Sequence, residues 1–93
     1  MKVKFISKEQ LLEMMENKED FKLVEVLPKE SYEEGHLPQA INLSLNEIGN
    51  LASKALPDKG ELIVVYCSSF TCSASTLAAR KLQELGYKNI FDY

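Results

Sequence analysis

The chain has 93 residues, 45% of them hydrophobic and 27% charged, with a formal net charge of −3. That length holds one compact domain, 1–93, and the composition excludes a disordered tail. No apolar run approaches the roughly 20 residues of a membrane-spanning helix, and the acidic balance argues against nucleic acid or an anionic membrane as partner. The scarce residues say more. His36, Arg80, Cys67 and Cys72 are the whole supply of their kinds. A metal site built from several Cys and His is thereby disfavoured, and neither metal nor cofactor is expected. Two cysteines behind an N-terminus without a signal-peptide block predict reduced thiols in the cytoplasm rather than a disulfide scaffold.

In chain order, Lys2 to Ile6 alternates like an edge strand. Ser7 and Gln10 form a capping-box pattern, and Leu11, Leu12 and Met15 are placed on one face of the helix behind it, which should fade near Asn17 or Lys18. Phe21 to Val26 reads as a strand stopped by Pro28, and Lys29 to Gly35 as a turn or a single helical turn ending at glycine. Ala40 to Leu43 is a further short strand. Ser44 and Glu47 repeat the capping-box pattern ahead of a helix carrying Leu45, Ile48, Ala52 and Ala55. Pro57-Asp58-Lys59-Gly60 is a turn. Leu62 to Tyr66 is a continuous apolar run, as expected of a central strand covered on both faces. A helix from Ala74 presents Leu77, Ala78, Leu82 and Leu85, Gly86 ends it, and Asn89 to Tyr93 is a last strand. Strands alternating with helices predict a parallel α/β sheet. The abrupt end on an apolar strand suggests that a further covering segment is missing.

The chemistry converges on Cys67-Ser68-Ser69-Phe70-Thr71-Cys72-Ser73, between the central strand and a helix start. In open parallel sheets, ligands bind in the crevice at the carboxyl ends of the strands. Backbone N–H groups and the positive end of a helix dipole favour a thiolate there, and the thiolate is the nucleophile. The competing reading makes Cys67 the last buried residue of its strand. Cys72 stands as a resolving thiol, a second sulfur carrier or an inert helix-start residue. The hydroxyls of Ser68, Ser69, Thr71 and Ser73 suit a bound anion or persulfide and equally suit an ordinary loop.

These residues carry a resemblance. Tyr32-Glu-Glu-Gly-His-Leu-Pro-Gln-Ala-Ile-Asn42 is similar to the "EEGHIPGAIN" signature of rhodanese-like, single-domain sulfurtransferases. Leu62-Ile-Val-Val-Tyr-Cys67 resembles their active-site strand and cysteine, and Leu85-Gly-Tyr-Lys-Asn-Ile90 their next strand entry. The resemblance spans Ser7 to Asp92. It implies a doubly wound parallel sheet flanked by helices, with Cys67 taking sulfane sulfur as a persulfide and passing it to a thiol acceptor. It also implies that the loop from Cys67 to Cys72 surrounds the sulfur with backbone N–H groups. Related cell-cycle-type phosphatases use a loop one residue longer, ending in arginine, which suits a tetrahedral phosphate. His36 falls on the signature histidine, with a role in holding a turn; Glu34 is expected to be a solvated acid.

The departures concern charge. Family members commonly carry Asp-Val-Arg where this chain has Glu25-Val26-Leu27, and a loop closer to Cys-Arg-Ser-Gly-x-Arg. Ser68, Phe70 and Cys72 replace the cation, the glycine and the second cation. Arg80 lies about 10 Å farther along its helix, too far to substitute. Thiosulfate, a dianion, is therefore expected to be a poor donor, leaving small-molecule or protein persulfides as donors and thiols as acceptors. The family's C-terminal "EGG…W" segment has no counterpart. Two other functions fit the same residues: a thiol–disulfide cycle between Cys67 and Cys72, and a rhodanese-fold binding module without catalysis. A monomer is expected, with a dimer as the alternative.

Overall fold

The computed structural model describes residues 4–17, 20–37, 39–67 and 74–93. The proposed loop, Ser68 to Ser73, lies outside the described residues, as do Pro38 of the signature and the beginning of the first predicted strand.

Among the described residues, ten short elements follow the predicted alternation. They are β1 (Lys4–Phe5), α1 (Lys8–Glu16), β2 (Phe21–Glu25), α2 (Lys29–Glu34) and β3 (Ile41–Asn42), then a 3₁₀ turn (Leu45–Glu47), α3 (Ile48–Ala55), β4 (Leu62–Tyr66), α4 (Ala74–Glu84) and β5 (Asn89–Asp92). Five strands form one sheet in the order β1-β5-β4-β2-β3, every pair parallel. β4 is central, as its unbroken apolar run demands. Ile63, Val64 and Val65 are wholly buried because each face of the sheet is covered.

Strand pleating separates two apolar clusters. Val24, Val26, Ile63 and Val65 face Ile48 and Ala52 of α3 and Ala78, Ala79 and Leu82 of α4. Leu23, Val64 and Tyr66 face the opposite way, against Leu11, Met14 and Met15 of α1 and Tyr32 of α2. Helices thus cover both faces, the doubly wound arrangement. Among the described residues no helix is long and apolar enough to cross a membrane.

Local signals explain most boundaries. Ser7 caps α1 with a reciprocal box: its Oγ accepts from the Gln10 N–H at 3.1 Å, and Gln10 Oε1 accepts from the Ser7 N–H at 2.8 Å. The turn before β4 closes when the Gly60 N–H donates to Asp58 Oδ1 at 2.9 Å. Gly86, with φ of 102°, ends the last helix in a conformation that favours glycine.

Three expectations are corrected. Leu12 and Leu77 are each 46% exposed. At about 100° per residue, Leu12 is turned away from the stripe that Leu11, Met14 and Met15 form, and Leu77 from that of Ser75, Ala78, Ala79 and Leu82. Ser44 does not cap through its side chain. The segment opens as a 3₁₀ turn in which the Ser44 carbonyl accepts from the Glu47 N–H at 2.9 Å. That frees the hydroxyl to donate to Glu47 Oε1 at 2.7 Å.

Tyr87 joins α3 to the segment that leads into β5. Its side chain is 1% exposed, and its hydroxyl meets the carbonyls of Ala52, at 3.0 Å, and Leu56 at the end of α3. Tyr87→Phe keeps the ring and removes the donor, so urea unfolding is expected to show a loss of about 1–2 kcal/mol with an unchanged m-value.

Candidate active site

The chain leaves β2 through α2 toward β3, and leaves β4 through α4 toward β5, on the other side of the sheet. Winding therefore reverses between β2 and β4. Their carboxyl ends splay the following segments to opposite faces and open a crevice, the switch point at which open α/β sheets bind ligands. A cavity of about 560 Å³ lies there. β2 and its continuation supply Glu25 and Leu27, β4 and its continuation Tyr66 and Cys67. Ser31, Glu34, Gly35, His36 and Leu37 come from α2 and the segment after it, and Tyr93 closes the side toward β5.

Cys67 is half-buried at the end of β4, against the cluster shared by α3 and α4. The preceding residue organises the wall. Tyr66 puts its ring in the opposite cluster and its hydroxyl at the crevice. That hydroxyl accepts from the Leu37 N–H at 3.0 Å and donates to Glu25 Oε2 at 3.2 Å. Burial, foremost, pushes the Tyr66 phenol up to about 12; the Leu37 N–H works against this, and the charge of Glu25 adds to it. Glu25 itself is only 3% exposed, and its Oε1 is buried without a hydrogen-bond partner among the described residues.

The backbone around these side chains is tied down. Asn42 Nδ2 bridges the Glu25 and Leu27 carbonyls at 3.3 and 2.8 Å, holding the chain as it leaves β2. The Val26 N–H donates to the Tyr66 carbonyl and the Tyr93 N–H to that of Val65, carrying the ladders up to the crevice. Thr76 in the first turn of α4 donates to the buried Asp92 at 2.8 Å, which fixes that helix against β5.

Glu34 to Leu37 form the rim, braced by hydrogen bonds of the flanking described residues. Tyr32 donates to the Ala40 carbonyl at 2.6 Å, and the His36 ring stacks on Tyr32 with centroids 3.7 Å apart. The Tyr32 carbonyl accepts from His36 Nδ1 at 2.8 Å, so this imidazole serves the turn. Glu34 is exposed at the edge. Gln39 has φ of 68°, a left-handed conformation costly for a side chain with a Cβ. It occupies the place where the quoted signature carries glycine.

Arg80 is exposed on another hollow, beside Lys81 and Glu84. None of the described residues lining the Cys67 cavity is Lys or Arg. Sequence reasoning missed the Glu25–Tyr66 pair. Its signals were a single acid closing an apolar strand and a tyrosine beside the proposed nucleophile.

The Rhodanese-like domain family model matches residues 7–93. The chain belongs to this family. The domain is 33% identical over 67 residues to thiosulfate sulfurtransferase PspE of Escherichia coli, covering 72% of this chain and 62% of that protein. It is 34% identical over 74 residues to thiosulfate sulfurtransferase GlpE of Coxiella burnetii, covering 80% and 65%. It thus spans less than two thirds of the length of these curated relatives. Among solved structures, a rhodanese from E. coli is 31% identical with a TM-score of 0.69, covering 76% of this chain and 81% of that one.

Two outcomes test the wall and rim. Because the folded phenol of Tyr66 titrates above its ordinary value of 10, its contribution to stability is complete below pH 10 and lost as pH rises toward 12. Unfolding free energy should therefore fall across pH 10–12, and Tyr66→Phe should flatten that slope. Gln39→Gly relieves the left-handed strain at some entropic cost, and is expected to raise stability by about 0.5–1 kcal/mol in urea unfolding.

Proposed function

We propose that this domain is a sulfurtransferase that carries sulfane sulfur as a persulfide on Cys67 and passes it to a thiol acceptor. The observation that supports this reading best is the position of Cys67, half-buried at the switch point and facing the cavity. Membership of the rhodanese-like family and relatives named as sulfurtransferases point the same way.

Loading is a nucleophilic displacement. The Cys67 thiolate attacks the terminal sulfur of a donor persulfide R–S–SH, the donor S–S bond breaks, and R–S⁻ leaves with its electron pair. Cys67–S–SH remains, and the proton stays on the transferred sulfur. Unloading is the same step with an acceptor thiolate attacking the terminal sulfur and Cys67 leaving as thiolate. No external oxidant or reductant is consumed, and no residue other than Cys67 changes its covalent state.

The donor is a persulfide of a small thiol or a protein, and thiosulfate is a poor one. Glu25 and Glu34 line the cavity, and neither a Lys nor an Arg among the described lining residues offsets them. Ser68 to Ser73 carry no cation either. A dianion would enter against like charge without the guanidinium that usually receives it.

Incubation with a low-molecular-weight persulfide is expected to add ~32 Da to the peptide containing Cys67, about one adduct per chain, with none in Cys67→Ser. Thiosulfate at equal concentration should load at least about tenfold more slowly. Equal loading of Cys67→Ser would falsify the assignment. A Cys67–Cys72 disulfide in place of the adduct would transfer the function to thiol–disulfide exchange.

A further inference from the structure

Glu25 is a buried acid that the displacement itself does not use. Its side chain lines the Cys67 cavity and is 3% exposed. Oε2 accepts from Tyr66, whereas Oε1 is buried with no hydrogen-bond partner among the described residues. A carboxylate kept in a low-dielectric wall with an open acceptor is costly until a donor or counter-charge reaches it. The lysines of β2 and α2 pair with other acids. Lys22 pairs with Glu61 at 3.8 Å at the opposite end of the β2–β4 ladder, and Lys29 pairs with Glu33 at 3.8 Å on exposed α2. Glu34 at the rim adds a second negative charge of the same cavity.

Strand geometry sets the distance over which this charge acts. Glu25 is the register partner of Tyr66, and Cys67 is one residue farther on. With neighbouring strands about 4.8 Å apart and a rise of about 3.3 Å per residue, the two backbone positions are about 6 Å apart. The pleat turns the two side chains to opposite faces of the sheet, so the charge reaches the sulfur through the cavity that both residues line, where apolar walls focus the field.

We infer that Glu25 is a specificity-determining residue that makes the Cys67 cavity select a cationic thiol acceptor: a small aminothiol whose ammonium group lies a few bonds from its sulfur. This rests on the reading of Cys67 as the sulfur carrier. In the step, the aminothiol loses its thiol proton to solvent and its sulfur attacks the terminal sulfur of Cys67–S–SH. The S–S bond breaks toward Cys67, which leaves as thiolate, and the product is the aminothiol persulfide. The ammonium group is not consumed; it supplies the counter-charge that Glu25 lacks.

The test compares cationic and anionic methanethiosulfonate reagents on wild type, following the mass of the Cys67 peptide, with each rate divided by that on free cysteine. A preference for the cation of about tenfold or more is expected. It should survive in about 0.5 M salt, because a buried carboxylate is screened less than surface charge. Glu25→Gln, which keeps an acceptor for Tyr66, should reduce it to about twofold, and Glu25→Asp should retain it. In parallel, sulfur transfer from persulfidated protein to cysteamine, 2-mercaptoethanol and 3-mercaptopropionate should shift in the same direction. The thiols' intrinsic reactivities cancel in the wild-type-to-variant ratio. Charge-blind or anion-preferring modification of wild-type Cys67, or a preference abolished by salt, overturns the inference. Absence of any Cys67 persulfide instead removes the sulfur-carrier reading while the charge preference of the cavity remains measurable.

Discussion

The registered pairing of β2 with β4 is the constraint on which the other features rest. Phe21 to Glu25 lie opposite Leu62 to Tyr66 without a break. Because side chains alternate across a strand, a slip of one residue would exchange the two faces of β2. Leu23 would then leave the α1 cluster, and Glu25 would turn toward Ile48, Ala52 and Leu82. Apolar burial on both faces forbids that slip, and in doing so it sets an acid beside the tyrosine that precedes Cys67. The same pairing lies where winding reverses. Core packing and the position of the crevice are therefore one problem with one solution.

Placing an acid there has a cost, and the surroundings meet part of it. A hydrogen bond to a charged group contributes about 1.5–3 kcal/mol, and Tyr66 supplies one to Glu25. The same hydroxyl accepts from Leu37, so a single phenol links β4, β2 and the rim. The segment after the rim holds a second unfavourable feature. Gln39 stays left-handed because its neighbours are anchored on both sides: the Ala40 carbonyl by Tyr32, the Ala40 N–H by the Leu37 carbonyl, and Leu37 in turn by Tyr66. Strain of this kind persists where the surrounding contacts over-determine the backbone. Of the two features, the acid at Glu25 lines the cavity, and the twist at Gln39 lies two residues beyond Leu37 in its wall.

The fold was legible because its strongest signals are local. The Ser7–Gln10 box, the Asp58–Gly60 turn, Gly86 and the apolar run of β4 each act within a few residues, and each appears where the sequence places it. The errors arose where two local solutions compete. Ser44 and Glu47 fit a capping box, yet a tighter 3₁₀ turn satisfies the same N–H through the backbone. Leu12 and Leu77 are apolar and near a buried stripe, but rotation about the helix axis places them in solvent. The site was legible only as a cysteine between a strand and a helix. Its wall is built from residues far apart in sequence, since Tyr66 meets Glu25 across 41 positions and Leu37 across 29. No window along the chain contains that geometry.

Charge then separates this domain from the pattern it otherwise follows. Where the pattern carries arginine after the second strand, Leu27 lines the cavity, while an acid remains at Glu25. Persulfide exchange suits such a setting. In the proposed exchange one thiolate enters as another leaves, beside a neutral S–SH group, so the reacting groups carry a single negative charge at the beginning and end of each step. A dianionic donor would bring three negative charges together with the thiolate, beside carboxylates in a wall of low dielectric, where like charges repel most strongly. The acid itself is shared with the family's pattern, which carries aspartate there; what sets this chain apart is Leu27 in place of the arginine that would offset the acid.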